Sequence, residues 1–272
     1  MATPGPALTG GDSDAIDGLR KTLDEKRNEG DRQGELSALL DMGKALVSAG
    51  RYVEAEKTAR QAARLGKKLK DETGLSAAYD LQAEAWLLSG KPEKALKVLD
   101  KAGKESGAGQ GSGARLNLRG LALMEIGKHA EASRVLMSAL DANRRSGDKA
   151  GLAESYRALG SAAMAAKSPD ALTYFMEAYR LDRESGDMEN VGYGLGKMAE
   201  INLEKGRQEE AVFLFERSYA AYKETGSEEG ALNGLESLIE ALRALGQDDK
   251  ALYYSGVKED ILKKMEGGRR DR

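Results

Sequence analysis

Residues 36–62 read LSALLDMGKALVSAGRYVEAEKTARQA, and they contain one complete unit of the pattern on which the chain is built. Apolar residues recur every three or four positions on both sides of the Gly50-Arg51 pair. This is the spacing of amphipathic helices and not of strands, in which apolar residues alternate. A glycine at the end of a helix adopts the left-handed conformation easily, which permits a tight reversal of the chain. The stretch therefore predicts two helices joined by a short turn.

The same pattern returns along the chain at a nearly constant interval. An alanine follows a short polar turn at Ala15, Ala55, Ala95, Ala132, Ala171, Ala211 and Ala251, with spacings of 37 to 40 residues. In several units a glycine follows fifteen residues after this alanine, as Gly186 and Gly226 do. Such a glycine is typical of a helix C-terminus. A recurring helix–turn–helix unit of this length predicts a helical repeat array.

Composition agrees with a thin, well-solvated array and excludes several classes of protein. The 272 residues carry a formal net charge of -3 and include no cysteine. The weak net charge argues against nucleic acid or an anionic membrane as a partner. The absence of cysteine excludes disulfides, thiolate nucleophiles and thiolate metal sites. No apolar run reaches the roughly 18 residues of a membrane span, and no signal peptide is recognisable, so we expect a soluble, cytoplasmic protein.

Composition also divides the chain into segments. Residues 1–12 are predicted to be disordered, residues 13–266 to form one repeat domain, and residues 267–272 to be a flexible tail. The glycine-rich segment 106–113 lacks the preceding strand of a phosphate-binding loop and is predicted to be a flexible linker. A helix beginning near Asp14 matches the second helix of later units, so the array should begin with a half-repeat. That half-repeat either caps the array or marks a docking site.

The unit has small residues at fixed places between bulky ones. In the first full unit the small and bulky residues of this pattern are Leu39, Met42, Gly43, Leu46, Ala55, Ala59 and Ala62. In the third unit they are Leu116, Gly120, Leu123, Ala132, Leu136 and Ala139. The pattern resembles the tetratricopeptide repeat, in which small residues let paired helices approach closely. The later units depart from it, since Ala199 and Ile239 occupy the glycine position and no unit ends in the consensus proline.

The resemblance implies an all-α fold. We expect an α-solenoid, with a right-handed superhelix of antiparallel helix pairs that comprises about six full repeats and an N-terminal half-repeat. The units are longer than the usual repeat of about 34 residues. Lengthened units of this kind resemble those of G-protein signalling modulators, kinesin light chains and bacterial peptide-sensing regulators.

No sequence motif indicates an enzyme. The single histidine, His129, lies in a predicted turn, and Glu125 is four residues before it. Two ligands at a turn do not make a zinc site. No nucleophile–base set or metalloprotease motif is present. We therefore expect no enzymatic activity, no catalytic residue, no metal and no cofactor.

The resemblance also implies where a partner would bind. In tetratricopeptide arrays the first helix of each pair lines the concave side, which here implies partner contacts at Lys44, Asp80, Glu84, Asn117, Arg157, Tyr193, Lys197, Glu200, Glu236, Glu240 and Arg243. Acidic residues outnumber basic ones along this face, so we expect an acidic groove that binds a basic or amphipathic peptide. The alternative is that these charges are ordinary solvated helix surface.

Three functions remain open at this point. The first is a protein–protein interaction scaffold or adaptor that holds a peptide segment of a partner. The second is a regulatory protein that senses a peptide or ligand by a change of curvature. The third is a self-assembling scaffold that forms a homo-oligomer through the N-terminal half-repeat. The scaffold is favoured because residues outside the repeats are too few for an output domain.

Overall fold

The computed structural model describes residues 10–105 and 111–270. Every regular element within these ranges is a helix. Contacts between residues divide the chain into two compact units, Met1–Ser146 (unit 1) and Gly147–Arg272 (unit 2). Each unit is built from helix pairs, and we call the members of a pair its first and second helix.

Unit 1 begins with an unpaired helix that is followed by three pairs. Its helices are α1 (Gly10–Glu29), α2 (Arg32–Ser48), α3 (Tyr52–Leu69), α4 (Glu72–Leu88), α5 (Pro92–Glu105), α6 (Gly113–Glu125) and α7 (His129–Ser146). The pairs are α2 with α3, α4 with α5, and α6 with α7. Successive pairs stack because α3 packs on α4 and α5 on α6, while the first helices α2, α4 and α6 also touch in sequence.

Unit 2 contains three further pairs. Its helices are α8 (Lys149–Ala165), α9 (Ala171–Ser185), α10 (Met188–Glu204), α11 (Gln208–Thr225), α12 (Glu228–Leu232), α13 (Leu235–Ala244) and α14 (Asp248–Arg270). The first helix of the last pair is interrupted between α12 and α13. Gly234 has a φ of 85° there, and an added Cβ would lie 2.9 Å from Cδ1 of Phe215. Any other residue at this point would collide with that ring.

Small side chains allow the two helices of each pair to approach. The six repeat alanines from Ala55 to Ala251 are at most 3% exposed. Ala15, in contrast, is exposed. It lies inside α1 and not after a turn as predicted, and Ile16 is the buried residue there. At Gly66 an added Cβ would come within 2.9 Å of the backbone nitrogen of Leu75, so α3 and α4 are in close contact there. The predicted all-α array of six helix pairs after a half-repeat is confirmed for the described residues.

The N-termini of the first helices and the C-termini of the second helices have features that recur from repeat to repeat. Side chains of Asp31, Asp71, Asp148, Asp187 and Ser227 accept a hydrogen bond from the backbone nitrogen three residues later and so cap a first helix. The second helices α3, α7, α9 and α11 are followed by a left-handed residue, which is glycine except after α3. In α3 the equivalent residue is Lys70, with a φ of 56°.

The predicted segment boundaries differ from the observed helices. Helix α1 begins at Gly10, inside the segment 1–12 that was predicted to be disordered, and residues 1–9 lie outside the described residues. Helix α14 continues to Arg270, so the predicted boundary at residue 266 falls inside a helix. Residues 106–110 of the predicted linker are also outside the described ranges, and Ser112 caps α6. None of the described helices is long and apolar enough to cross a bilayer.

Candidate functional site

The eleven residues predicted to contact a partner fall in both units. Unit 1 contains Lys44, Asp80, Glu84 and Asn117, and unit 2 contains Arg157, Tyr193, Lys197, Glu200, Glu236, Glu240 and Arg243. All of them lie on first helices. Their surroundings within each unit decide which of them have a side chain free to meet a partner.

The prediction for Asn117 is wrong. Its side chain lies in the packed interior of unit 1 and is 0% exposed. The neighbouring positions Arg115 and Gly120 of α6 are buried as well, because α6 packs against α4, α5 and α7. Asn117 therefore belongs to the helix packing and not to an accessible face.

Asp80 has a structural role that the sequence did not reveal. Arg115 Nε donates to Asp80 Oδ1 at 2.6 Å and Arg115 Nη2 donates to Oδ2 at 3.2 Å. The Arg115 side chain is only 5% exposed and also donates to the Ser76 carbonyl. Burial raises the pKa of Asp80, and the Arg115 guanidinium opposes that rise. Asp80 thus ties α4 to α6 and has little capacity left for a partner.

The other two predicted residues of unit 1 are accessible. Lys44 is exposed and lies 3.8 Å from Asp41, one turn earlier on α2. Glu84 is half-buried on α4. Both side chains border solvent, so they stay candidates for partner contact.

Arg157 in unit 2 is also engaged internally. Its Nη1 donates to Oδ1 of Asp182 at 2.5 Å, which joins α8 to α9. Asp182 is buried, and its Oδ2 has no hydrogen-bond partner among the described residues. Burial raises the pKa of Asp182, while the nearby Arg157 charge lowers it. Arg157 therefore neutralises a buried carboxylate, a structural role that the sequence did not indicate.

Three predicted residues come together on α10. The Tyr193 hydroxyl lies 3.2 Å from Ser161 Oγ of α8, and Lys197 Nζ lies 5.8 Å from the Tyr193 ring centroid. Lys197 Nζ also donates to both carboxylate oxygens of Glu200 at 2.8 Å. The Lys197 and Glu200 side chains remain 30% and 37% exposed. We call Ser161, Tyr193, Lys197 and Glu200 the tyrosine–lysine patch.

The last predicted residues lie on α13. Glu236 is exposed and accepts from Lys258 Nζ of α14 at 3.1 Å, so it pairs with the second helix of its own repeat. Glu240 and Arg243 are exposed, and neither has an ion-pair partner within the described ranges. The acidic excess is smaller than predicted because Arg115 and Lys258, which lie outside the predicted set, neutralise Asp80 and Glu236.

Arg115 was not predicted to be a functional residue, although the sequence contains a signal for it. Arg115 occupies the third position after the cap of its first helix, where Gly34, Gly74, Gly151 and Gly230 lie in other units. An arginine at a position that is glycine in other units indicates a side chain with a specific structural or functional role. Asp182 gave no comparable signal, since its equivalent positions vary from Gly66 to Tyr222.

Comparison with known proteins supports the repeat assignment. Residues 114–184, from α6 to α9, match a family profile described as tetratricopeptide repeat. No curated protein matches the chain in sequence. In the part of the chain that the structure describes, no three His, Cys, Asp or Glu side chains group in a metal-binding arrangement.

Solved structures share the fold over most of the chain. BtubC (BKLC) from P. vanneervenii has a TM-score of 0.66 at 17% identity, over 80% of this chain and 93% of its own. A Rap protein complexed with Competence and Sporulation Factor has a TM-score of 0.68 at 15% identity, over 93% and 70%. Aspartyl phosphate phosphatase F from Bacillus subtilis has a TM-score of 0.67 at 17% identity, and this chain, 91% of which is covered, spans 64% of it. At such identities the likeness concerns the fold.

Proposed function

We propose that this chain, which is a tetratricopeptide repeat protein, is a scaffold or adaptor that binds a peptide segment of another protein on its first helices. The observation that carries the proposal is the tyrosine–lysine patch of α8 and α10. There the Tyr193 ring and the charged groups of Lys197 and Glu200 contact one another but remain accessible. Repeat arrays typically bind partners through such continuous helix surfaces.

The patch is arranged before any partner arrives. Tyr193 is held by Ser161 and by an edge-on contact with Phe175, whose ring centroid is 6.3 Å away. Lys197 is fixed between that ring and Glu200. Because few rotamers remain to be ordered, binding here loses less conformational entropy than binding to mobile side chains. Tyr193 supplies an aromatic surface of the kind that dominates binding energy.

The chemistry of the patch favours a basic, amphipathic peptide. Glu200 accepts two hydrogen bonds from Lys197, but a carboxylate has about four acceptor sites, so a Lys or Arg of the peptide finds a place there. Glu240 offers a second, unpaired carboxylate on α13. Exposed ion pairs contribute little individually, so apolar contact with Tyr193 must supply most of the affinity.

The proposal also covers the kind of partner, the compartment and the absence of catalysis. The Rap protein of similar fold holds Competence and Sporulation Factor, which indicates that this fold accommodates a bound factor. We propose a protein partner and not a nucleic acid, because the net charge is -3. We also propose that the chain is cytoplasmic. We propose no catalytic role, since Asp80 and Asp182, whose carboxylates pair with arginines, serve helix packing.

A selection from a random peptide display library tests the proposal, because such a library offers the chain peptides of every composition. The chain should enrich peptides that combine Lys or Arg with apolar residues. A variant with Glu200→Lys, Glu236→Lys and Glu240→Lys should lose these peptides, because Glu200 and Glu240, which attract them, are reversed and a third positive charge is added at position 236.

A control variant changes the net charge equally at distant exposed positions, Glu25→Lys, Glu209→Lys and Glu224→Lys, and should select the same peptides as the original chain. The same variants serve in affinity capture with mass spectrometry, and light scattering on each would reveal self-assembly. If the patch variant and the control variant select the same peptides, the proposed binding face is wrong.

A further inference from the structure

Unit 2 carries a second ordered cluster, on its second helices α9 and α11. The Arg217 guanidinium lies 5.9 Å from the Tyr179 ring centroid and 5.4 Å from the Phe213 ring centroid. Arg217 Nη2 also donates to the Tyr179 hydroxyl at 2.7 Å. Arg183 lies 5.8 Å from the centroid of the same tyrosine ring. We call Tyr179, Arg183, Phe213 and Arg217 the arginine–aromatic patch.

The patch is accessible and has the composition of an interface. Phe213 is 58% exposed, and Met176, one turn before Tyr179 on α9, is 55% exposed. Arg183 and Arg217 are exposed as well. Tyr, Phe, Met and Arg are the residues that are enriched where proteins meet. An aromatic surface of this kind on the outside of a repeat is therefore a candidate for contact with a partner.

The carboxylates of α9 are already engaged by other cations. On this helix, Arg180 Nη2 lies 3.2 Å from Glu177 Oε2, and Arg180 Nη1 lies 2.7 Å from Glu184 Oε1. Asp182 is buried against Arg157. None of these three acids is therefore free to neutralise the arginine–aromatic patch.

The nearest acid on α11 is engaged too. Glu216, the residue before Arg217, lies 3.2 Å from Lys250 Nζ of α14. Across residues 10–105 and 111–270, neither Arg183 nor Arg217 forms an ion pair with a carboxylate. Two guanidinium groups on one tyrosine ring thus keep their positive charge uncompensated.

Two other contacts between neighbouring second helices have the same sequence spacing but a different composition. Second helices of neighbouring pairs are bridged between residues 38 positions apart, by Lys67 and Glu105 in unit 1 and by Tyr254 and Glu216 in unit 2. Both of these bridges contain a carboxylate. The bridge between Arg217 and Tyr179 has the same spacing but a neutral hydroxyl as acceptor. The contact between α9 and α11 therefore contains the Arg217 cation but no carboxylate, whereas the other two contacts contain a glutamate.

We propose that the arginine–aromatic patch is a second binding surface, which takes an acidic peptide segment with Asp or Glu beside aliphatic or aromatic side chains. A guanidinium binds a carboxylate through two parallel hydrogen bonds. The hydrogen bond to the Tyr179 hydroxyl already restricts the Arg217 guanidinium. Phe213 and Met176 supply the apolar contact next to the two charges. Nucleic acid fits less well, because binding to its backbone uses more cations than these two.

Fluorescence anisotropy with three labelled peptides of equal length tests this proposal. The peptides alternate Leu with Glu, with Gln or with Lys. The Leu/Glu peptide should bind about tenfold more tightly than the Leu/Gln peptide, and the difference should shrink at high salt. The Leu/Lys peptide should not bind at the patch.

Variants locate the binding to the patch. Arg183→Gln with Arg217→Gln should weaken Leu/Glu binding about tenfold, and Arg217→Lys should weaken it by less because the charge remains but the planar fork is lost. A control with Arg64→Gln and Arg145→Gln, both exposed and without an ion pair in the described part of the chain, makes the same change of net charge and should bind like the original.

Several results would overturn the proposal. These are equal binding of the Leu/Glu and Leu/Gln peptides, equal loss in the patch and control variants, no binding of any peptide, or tighter binding of a labelled single-stranded oligonucleotide. The variant with Glu200, Glu236 and Glu240 reversed should keep its affinity for the Leu/Glu peptide. The proposals for the arginine–aromatic patch and for the tyrosine–lysine patch are therefore tested independently.

Discussion

Arg115 of α6 extends back to Asp80 of α4, and the pair links two consecutive first helices of unit 1 across 35 residues of sequence. The arginine stands at a helix position that is glycine in four other first helices. Its long side chain leaves α6 and forms two hydrogen bonds to the carboxylate. The contact is part of what holds the second and third pairs of unit 1 together.

We expect removal of Arg115 to be costly. Arg115→Met leaves Asp80 partly buried without its counter-charge and should lower the free energy of unfolding by about 3 kcal/mol. The double variant Asp80→Asn with Arg115→Met should be clearly more stable than the single one, because no buried charge is left alone. Urea unfolding followed by circular dichroism gives both values. Equal stability of the single and double variants would contradict a coupled pair.

Arg157 should be needed for stability and in a pH-dependent way. In Arg157→Ala the buried Asp182 loses its neutralising partner, so its folded-state pKa rises further above the unfolded value. A raised carboxyl pKa means that stability is present below the unfolded pKa of about 4 and is lost as pH rises through the folded pKa. The deficit of Arg157→Ala against the original chain should therefore grow between about pH 4 and pH 7. Adding Asp182→Asn should remove that pH dependence, which thermal unfolding across this range would test.

The helix cap at Asp71 predicts the opposite pH dependence. The pKa of Asp71 is lowered because its carboxylate accepts from the Gly74 backbone nitrogen and from Gln33. Asp71→Ala should destabilise unit 1 by about 1 kcal/mol at neutral pH. A lowered carboxyl pKa contributes stability above the unfolded value that disappears as pH falls through the folded pKa. The difference between Asp71→Ala and the original chain should hence vanish in strong acid; a difference that persists there would refute the cap.

Two glycines in helices should respond in opposite directions to alanine. In Gly66→Ala the new Cβ meets the backbone of Leu75, which cannot move aside as a side chain would, and we expect a loss of about 2 kcal/mol. At Gly18 of α1 an added Cβ meets nothing within 4 Å, so Gly18→Ala should stabilise the chain by about 0.5 kcal/mol through higher helix propensity. Chemical denaturation of the two variants side by side tests the pair, and a destabilised Gly18→Ala would contradict the open position.

Lys70 is a lysine in a conformation that suits glycine. Its φ of 56° is the left-handed cap that Gly186 and Gly226 form elsewhere. Lys70→Gly should therefore stabilise the chain by about 0.5 to 1 kcal/mol. Lys68→Gly, two residues earlier within α3, should instead destabilise by about 1 kcal/mol because a helix interior disfavours glycine. Midpoints of thermal unfolding for the two variants should move in opposite directions.

The amino-acid sequence by itself determined the helix pairs. The spacing of apolar residues, the repeat alanines and the turn glycines act over a few residues, so they are visible in any one unit, and their recurrence identifies the array without a structure. The break between α12 and α13 was not predicted, although Asn233-Gly234 is a turn signal in the sequence. The close approach of the Phe215 ring to Gly234, in contrast, exists only after packing.

Only the tertiary structure decided which of the predicted charges are neutralised within the chain. Asp80, Arg157 and Glu236 were all predicted to be available, yet their partners Arg115, Asp182 and Lys258 lie 35, 25 and 22 residues away in sequence. A repeat pattern states on which helix face a residue lies, but whether its charge is neutralised depends on side chains that reach across from neighbouring helices. The same reason explains the arginine–aromatic patch: Tyr179 and Arg217 are 38 residues apart, and packing alone brings the guanidinium onto the ring.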